Sequence, residues 1–189
     1  MKDEMFKREK DVPMTKEEIR YLSLGYLELA FAKNLLDIGS GTGSVSIEAA
    51  AMNPHLHVTA VECDEDAFLL SLENRKKMGL DERIKIIHDK APSSEIKGRF
   101  DRIFIGGTKG NPRQVIEWAY EHLEEEGILV MNFITLENFQ RSVESIESIE
   151  GFGKIEGSLC SISKLSDLGP YTYFKPHNPA FIIRTTRRK

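Results

Sequence analysis

Short apolar runs and helical repeats take turns along the middle of the chain. Asn34–Ile38, His57–Glu62, Ile84–His88, Phe100–Ile105 and Gly127–Phe133 are brief and largely apolar, and read as buried strands. Around and between them, Ile19–Ala30, Ser44–Met52, Asp64–Met78, Pro112–Leu123 and Leu136–Ile149 are predicted helices. In the last of these Phe139, Val143 and Ile146 recur at four and three positions, which puts them on one stripe. The boundaries carry their own signals. Thr15-Lys16-Glu17-Glu18 has the capping-box form, Pro54 stops one helix, and Gly79 ends another whose last turn holds Arg75, Lys76 and Lys77.

This alternation predicts an α/β fold, a doubly wound Rossmann-like and mostly parallel sheet covered by helices on both faces. After Gly151 the pattern changes. Lys154–Lys164 and Pro179–Thr186 read as two strands with no helix between them, expected to pair antiparallel at the sheet edge. They bring the sheet to seven strands, with an antiparallel hairpin at its C-terminal end. Residues 165–178 are expected to form a turn-rich loop carrying aromatics, with Asn178-Pro179 as a turn. One domain over residues 1–189 is expected, with 1–14 as an N-terminal arm.

Composition narrows the function classes. The chain has 189 residues, 40% hydrophobic and 30% charged, enough for one sizeable core. A net charge of -4 argues against nucleic-acid binding, and the basic tail RTTRRK reads as a solvated terminus. No apolar stretch approaches the roughly 20 residues of a membrane span, and MKDEMFKREK is unlike a signal peptide, so a cytoplasmic protein is expected. Cys63 and Cys160 form no C-x-x-C pair, and the five histidines show no ligand spacing with them. No metal site is expected.

The chemistry concentrates in Asp37-Ile38-Gly39-Ser40-Gly41-Thr42-Gly43-Ser44, between the first strand and its helix. In such a sheet ligands lie at the carboxyl ends of strands where the connection order reverses. Glycine permits positive φ and close backbone approach, and one would suffice for a bare turn. The dinucleotide pattern G-x-G-x-x-G/A fails at Ser44, and Asp37 would repel a pyrophosphate, which speaks against a nicotinamide oxidoreductase. A carboxylate there suits a cationic ammonium instead. The loop resembles motif I of class I S-adenosylmethionine-dependent methyltransferases. That resemblance implies cofactor contacts from Asp37, Gly39, Ser40, Gly41, Thr42 and Gly43. Glu62 ends the second strand roughly 20 positions on, where a carboxylate accepts from both ribose hydroxyls. Asp64 competes for that role, its alternative being the N-cap of the next helix. At the third strand's end Asp89 and Ala91 are expected beside the adenine, with a simple turn as the other reading of Asp89.

Motifs of this kind name a cofactor and leave the substrate open. The fourth strand ends in Phe104-Ile105-Gly106-Gly107-Thr108 and lacks the Asn/Asp-Pro-Pro-aromatic motif of amino-methylating enzymes. Gly106 and Gly107 clear side chains where a flat substrate would lie. VPMTKEE at 12–18, the glycine loop, FIGG at 104–107, ITLEN at 134–138 and NPAFII at 178–183 occur in order. Together they resemble the decarboxylating precorrin-6B or cobalt-precorrin-6B methyltransferase family of cobalamin biosynthesis, over about residues 12 to 184. The resemblance implies methylation of carbon 15 of a tetrapyrrole with loss of CO₂ from the ring C acetate. It also implies a flap bringing Thr15 to the cofactor, a homo-oligomer such as a tetramer, and a separate protein for carbon 5. Whether the macrocycle carries cobalt stays open. Carbon 15 is electron-rich and needs no strong base, so no catalytic side chain is assigned. Substrate carboxylates are expected at Lys109, Arg113, Lys164 and Lys175, with Tyr171 and Tyr173 stacking. Competing readings are a methyltransferase for RNA or another small molecule, and a binding module that kept the fold.

Overall fold

The computed structural model describes residues 1–189. Its centre is a seven-stranded sheet whose strands lie in the spatial order Ile84–His88, His57–Glu62, Asn34–Ile38, Phe100–Ile105, Leu123–Phe133, Ala180–Thr186 and Glu156–Cys160. Five parallel strands make up most of it: β1 (Asn34–Ile38), β2 (His57–Glu62), β3 (Ile84–His88), β4 (Phe100–Ile105) and β5 (Leu123–Phe133). Two antiparallel strands close one side, with β9 (Ala180–Thr186) inserted between β5 and β6 (Glu156–Cys160). The order reverses between β1 and β4, so the crevice expected to hold a ligand opens there.

Successive residues of each inner strand point to opposite faces, and both faces are buried. Leu35, Phe104, Val130 and Ile182 pack on one side with Leu24, Leu27 and Ile47. Those last three come from α1 (Glu17–Tyr26), the turn that follows it, and α2 (Ser44–Met52). Leu36, Ile103, Ile105 and Met131 pack on the other with Val115, Ile116 and Ile146, from α4 (Pro112–His122) and α5 (Leu136–Glu147). Each such aliphatic side chain contributes roughly 1.5–3 kcal/mol on burial. Between β2 and β3 runs α3 (Glu65–Lys77), which Asp64 caps by accepting from the Ala67 N–H at 3.1 Å. The N-cap reading of Asp64 is therefore the observed one.

Two expectations need correction. Residues 165–178 are mostly strand: β7 (Ser163–Leu168) and β8 (Tyr171–Pro176) form a separate antiparallel pair. Leu168 faces Tyr171 across a two-residue turn at Gly169-Pro170, where Gly169 has φ +60°. Glycine first in a two-residue loop is a hairpin signal; the turn chemistry that suggested a long loop belongs to its tip. The single strand expected at Lys154–Lys164 accordingly divides into β6 and the start of β7. Thr15 does not cap α1 either. Lys16 is the N-cap residue and no side chain caps it.

Thr15 belongs instead to an arm tied down at several points. Asn74 of α3 accepts from the Lys7 N–H at 2.7 Å and donates to the Lys7 carbonyl at 3.0 Å. Val12 packs against Ala67 and Leu70. Arg20 is fully buried; its Nε donates to Glu48 of α2 at 2.6 Å, and its Nη1 to Asp3 at 3.1 Å and the Thr15 carbonyl at 2.5 Å. The guanidinium also lies 4.9 Å from the centre of the Phe6 ring. Removing one partner of a buried ion pair leaves the other charge uncompensated, at a cost of about 3–5 kcal/mol. The Met1 ammonium also pairs with Glu48 and stays in the variant, so Arg20→Ala should lose up to that much in denaturant unfolding; a change under about 1 kcal/mol would show that the Met1 ammonium and water replace the guanidinium without penalty.

Candidate active site

The loop after β1 is held by its neighbours. The Gly39 and Ser40 N–H groups donate to the Val61 carbonyl at 2.9 and 3.2 Å, and the Gly106 N–H to the Ile38 carbonyl at 2.9 Å. A Cβ on Gly39 would stand 2.9 Å from the Gly107 carbonyl oxygen, and one on Gly41 2.9 Å from that of Pro13. Both positions also have positive φ, +71° and +55°. Here glycine is dictated by close backbone approach on two sides.

The carboxyl ends of β1, β2, β3 and β4 then surround a cavity of about 330 Å³, closed above by Asp11–Pro13 and Thr15 of the arm. Glu62 lies on its wall, buried. Its Oε2 accepts from the Gly41 N–H at 2.8 Å, and its Oε1 from those of Cys63 and Asp64 at 2.8 and 2.9 Å. Asp89 accepts from the Ser93 hydroxyl and the Lys90 N–H, which together hold its carboxyl below the ordinary range. The buried Ser40 hydroxyl, also on the wall, has no hydrogen-bond partner within the protein.

A second cavity of about 510 Å³ adjoins the first and shares Pro13, Thr15, Gly106, Gly107 and Thr108 with it. Its apolar lining comes from Ile19, Ile105, Phe133 and Ala180 among others, and its polar lining includes Lys16, Asn132, Asn138 and His177. Asn132 Nδ2 donates to the Ser23 hydroxyl of α1 at 2.8 Å, while that hydroxyl donates to the Ile19 carbonyl at 2.7 Å. The His177 N–H donates to the Ile162 carbonyl at 2.9 Å, which closes the base of the β7–β8 hairpin at the cavity edge.

Residues 4–187 match the family described as a precorrin methyltransferase domain. The chain belongs to this family. It is 44% identical over 97% of its length to the cobalt-precorrin-6B C(15)-methyltransferase (decarboxylating) of Salmonella typhimurium, covering 94% of that protein. It is 35% identical to the probable enzyme of that name from Saccharolobus solfataricus, over 96% of this chain and 92% of that one. The precorrin-6y C5,15-methyltransferase from Geobacter metallireducens superposes with a TM-score of 0.91 at 30% identity, covering 99% of this chain and 97% of that one. The sheet described above is thus the class I methyltransferase fold.

In this precorrin methyltransferase the structure gathers most of the expected residues at the first cavity. Thr15, Gly39, Ser40, Gly41, Glu62, Asp89, Ala91, Gly106, Gly107 and Lys109 all line it. Three lie off its wall. Gly43 is the N-cap of α2, Thr42 is buried, and Asp37 is buried inside β1, accepting from the Ser46 hydroxyl at 2.5 Å. The two glycines after β4 also differ from each other. A Cβ on Gly106 would meet the Gly39 carbonyl at 3.1 Å and Phe104 at 3.2 Å, whereas one on Gly107 meets nothing within 4 Å. Gly106 serves backbone packing, and Gly107 leaves the open space.

The expected carboxylate binders are dispersed. Arg113 pairs with Glu117 at 2.9 Å on an exposed face of α4. Lys164 is engaged by Glu17 at 3.1 Å and Glu18 at 2.7 Å. Lys175, Tyr171 and Tyr173 lie on the exposed strand β8. Lys16, Asn132, Asn138 and His177 were missed, and Asn178, set aside as a turn, also lines the second cavity. Asn132 alone carried a local signal, as the polar residue within the apolar run Ile128-Leu129-Val130-Met131-Asn132-Phe133.

Burial raises the Asp37 carboxyl to about 7, the Glu62 charge adding to the effect and the Ser46 hydroxyl opposing it. An unfolded aspartate titrates near 3.9. Between about pH 4 and 7 the folded chain keeps a proton that the unfolded chain has released, so Asp37 makes stability fall as pH rises. Asp37→Asn removes the titration. Its stability relative to wild type should rise by about 1.4 kcal/mol per pH unit across that window and level off above it. Parallel urea-unfolding curves from pH 4 to 8 would contradict an aspartate protonated by burial.

Proposed function

We propose that this chain transfers a methyl group from S-adenosylmethionine to carbon 15 of cobalt-precorrin-6B, with loss of the ring C acetate carboxyl as CO₂, in cobalamin biosynthesis. The observation that carries the reading is the pair of cavities sharing one wall. A nucleoside-sized cleft and a larger, mainly apolar cleft meet at Gly106-Gly107-Thr108 and Thr15, so two reactants can be held against each other. The names of the relatives support the macrocycle, its cobalt and the decarboxylation.

The residues present fit the cofactor. Glu62 offers a buried carboxylate to a ribose diol, and the unpartnered Ser40 hydroxyl and the glycine-loop backbone offer polar contacts to the rest. Asp89 and Ala91 flank the adenine end and Thr15 the methionine end, while Asp37, Thr42 and Gly43, off the cavity wall, hold the loop against β1 and α2. Bound S-adenosylmethionine supplies an electrophilic methyl group. The chain's part is to orient carbon 15 across Gly107, to exclude water beneath the arm, and to hold substrate carboxylates. Lys109, on the wall of the first cleft next to the shared Thr108, and Lys16, on the wall of the second, suit that last task.

The protein functions in the cytoplasm, as one methyltransferase domain over 1–189 with 1–14 as its arm; no helix is long and apolar enough to cross a membrane. Carbon 5 is methylated by a separate protein, a division supported by relatives named for carbon 15 alone. The β7–β8 hairpin leaves Leu165, Leu168, Tyr171 and Phe174 each more than 60% exposed. Apolar surface of that extent marks an interaction face, and the partner here is further copies of the chain, in a homo-oligomer such as a tetramer.

Two expected outcomes follow from this reading. Glu62→Ala removes an acceptor of hydrogen bonds to a charged group, worth about 1.5–3 kcal/mol. Calorimetry should therefore show S-adenosylmethionine binding weakened tenfold or more, and unchanged affinity would displace Glu62 from the ribose. Decarboxylation needs the cationic macrocycle formed by methylation as its electron sink. Labelled substrate should release CO₂ with S-adenosylmethionine and none with S-adenosylhomocysteine; release with the demethylated compound would overturn the coupling.

A further inference from the structure

We infer that His177 is the acid that completes the decarboxylation, an inference that rests on the reading just proposed. When the carbon–carboxyl bond breaks, its electron pair moves into the cationic ring system. CO₂ departs and an exocyclic methylene remains, conjugated to a now neutral macrocycle. For the acetate to end as a ring methyl, the methylene carbon must gain a proton. The exocyclic double bond supplies the pair for the new C–H bond, positive charge returns to the ring, and an N–H proton leaves to solvent. One proton therefore has to be delivered to carbon inside the second cavity.

That cavity has only two titratable side chains in its lining, Lys16 and His177. No carboxyl group lines it: Glu17 and Glu18, at the start of α1, are paired with Lys164. Lys16 reaches toward Asp3, 4.0 Å away, and carries a compact, strongly hydrated point charge suited to holding a carboxylate. Histidine is the side chain that most often carries general acid–base catalysis, and its imidazole can give one proton and take back another. His177 is half-buried, and its backbone N–H is fixed to the Ile162 carbonyl at 2.9 Å. It stands at the base of the hairpin between β8 and β9, where solvent can reprotonate it. Lys16, from the arm side, is left as the anchor for a carboxylate that stays.

The test is a single turnover of His177→Gln, whose backbone keeps the bond to Ile162. Calorimetric binding of S-adenosylhomocysteine certifies the fold. S-adenosylhomocysteine formation, CO₂ release and the visible spectrum are followed separately, because the exocyclic methylene and the ring methyl differ in conjugation. The first two should keep their wild-type time courses, while the final chromophore forms about 100-fold more slowly. Free imidazole added to the variant should restore its rate. Wild-type kinetics on all three signals would assign the proton to water. Slow methyl transfer with no rescue would make His177 a structural residue, and build-up of the intermediate in Lys16→Ala instead would move the role to the lysine. Absence of CO₂ release by the wild-type protein with substrate and methyl donor would overturn the functional reading itself.

Discussion

The site depends on one close approach of backbone to backbone. Where the connections from β1 and β4 diverge, Gly39 and Gly107 lie so near each other that a Cβ on Gly39 would stand 2.9 Å from the Gly107 carbonyl oxygen. The contact is prepared by the sheet. Ladder-like hydrogen bonds run past the strand ends, from Gly39 to Val61 and from Gly106 to Ile38, and bring the loops after β1 and β4 side by side. Two clefts form on either side of this seam and share it as a wall. A side chain on the Gly39 side would part the loops, and the positive φ there would strain it as well.

The arm supplies the other side of both clefts, and its position rests on a buried charge. A guanidinium with no solvent exposure is costly unless its donors are met. Arg20 meets them with Glu48, Asp3 and the Thr15 carbonyl. Glu48 lies in the helix that begins at the glycine loop, and Thr15 lines both cavities. One side chain therefore sets the distance between the loop under the first cleft and the strap over it. The Pro13 carbonyl oxygen stands 2.9 Å from where a Cβ on Gly41 would be, so the strap also fixes a second glycine. An apolar residue at 20 could fill the same volume, but it would leave the strap without a partner for its carbonyl.

What the sequence discloses follows from the range of the forces involved. The five parallel strands, the glycine loop, the carboxylate at Glu62 and the cap at Asp64 are local patterns, and all were legible. Thr15 misled because a capping box is also local, whereas the Arg20 side chain that takes its carbonyl is held in place by tertiary contacts to Glu48 and Asp3. The hairpin at 163–176 was missed for a related reason. Its strands are exposed, so they lack the buried face that gives a strand its periodic signature, and Gly169-Pro170 reads as a loop when its flanks are not recognised. The second cavity is the extreme case. Lys16, the Asn132 and Asn138 pair, and His177 come from three separate parts of the chain, and only the sheet order brings them together. Of the basic residues picked from sequence, Arg113 and Lys164 were already matched by acids, Glu117 by i,i+4 spacing and Glu17 and Glu18 across the fold.

The scarcity of cations in that cavity is itself consistent with the chemistry proposed. A carboxylate loses CO₂ by giving up its charge to the rest of the molecule, so any cation held against it stabilises the starting state more than the state that follows. Arginines placed to grip every acidic arm of the substrate would hold the reacting acetate as firmly as the others. Ile19, Ile105, Phe133 and Ala180 offer the opposite environment, one in which an ionised carboxylate is poorly solvated and its neutralisation is favoured. Lys16 and His177 enter from the N-cap of α1 and from the β8–β9 connection, while the strand ends contribute Ile105, Phe133 and Ala180 beside a single polar residue, Asn132, which is bonded to Ser23. On this view binding strength and reactivity are separated in space. Lys16 meets a retained carboxylate at the rim, the departing one faces apolar strand ends within reach of His177, which protonates the carbon after CO₂ has left, and the wall shared with the first cleft lets methyl transfer trigger the loss.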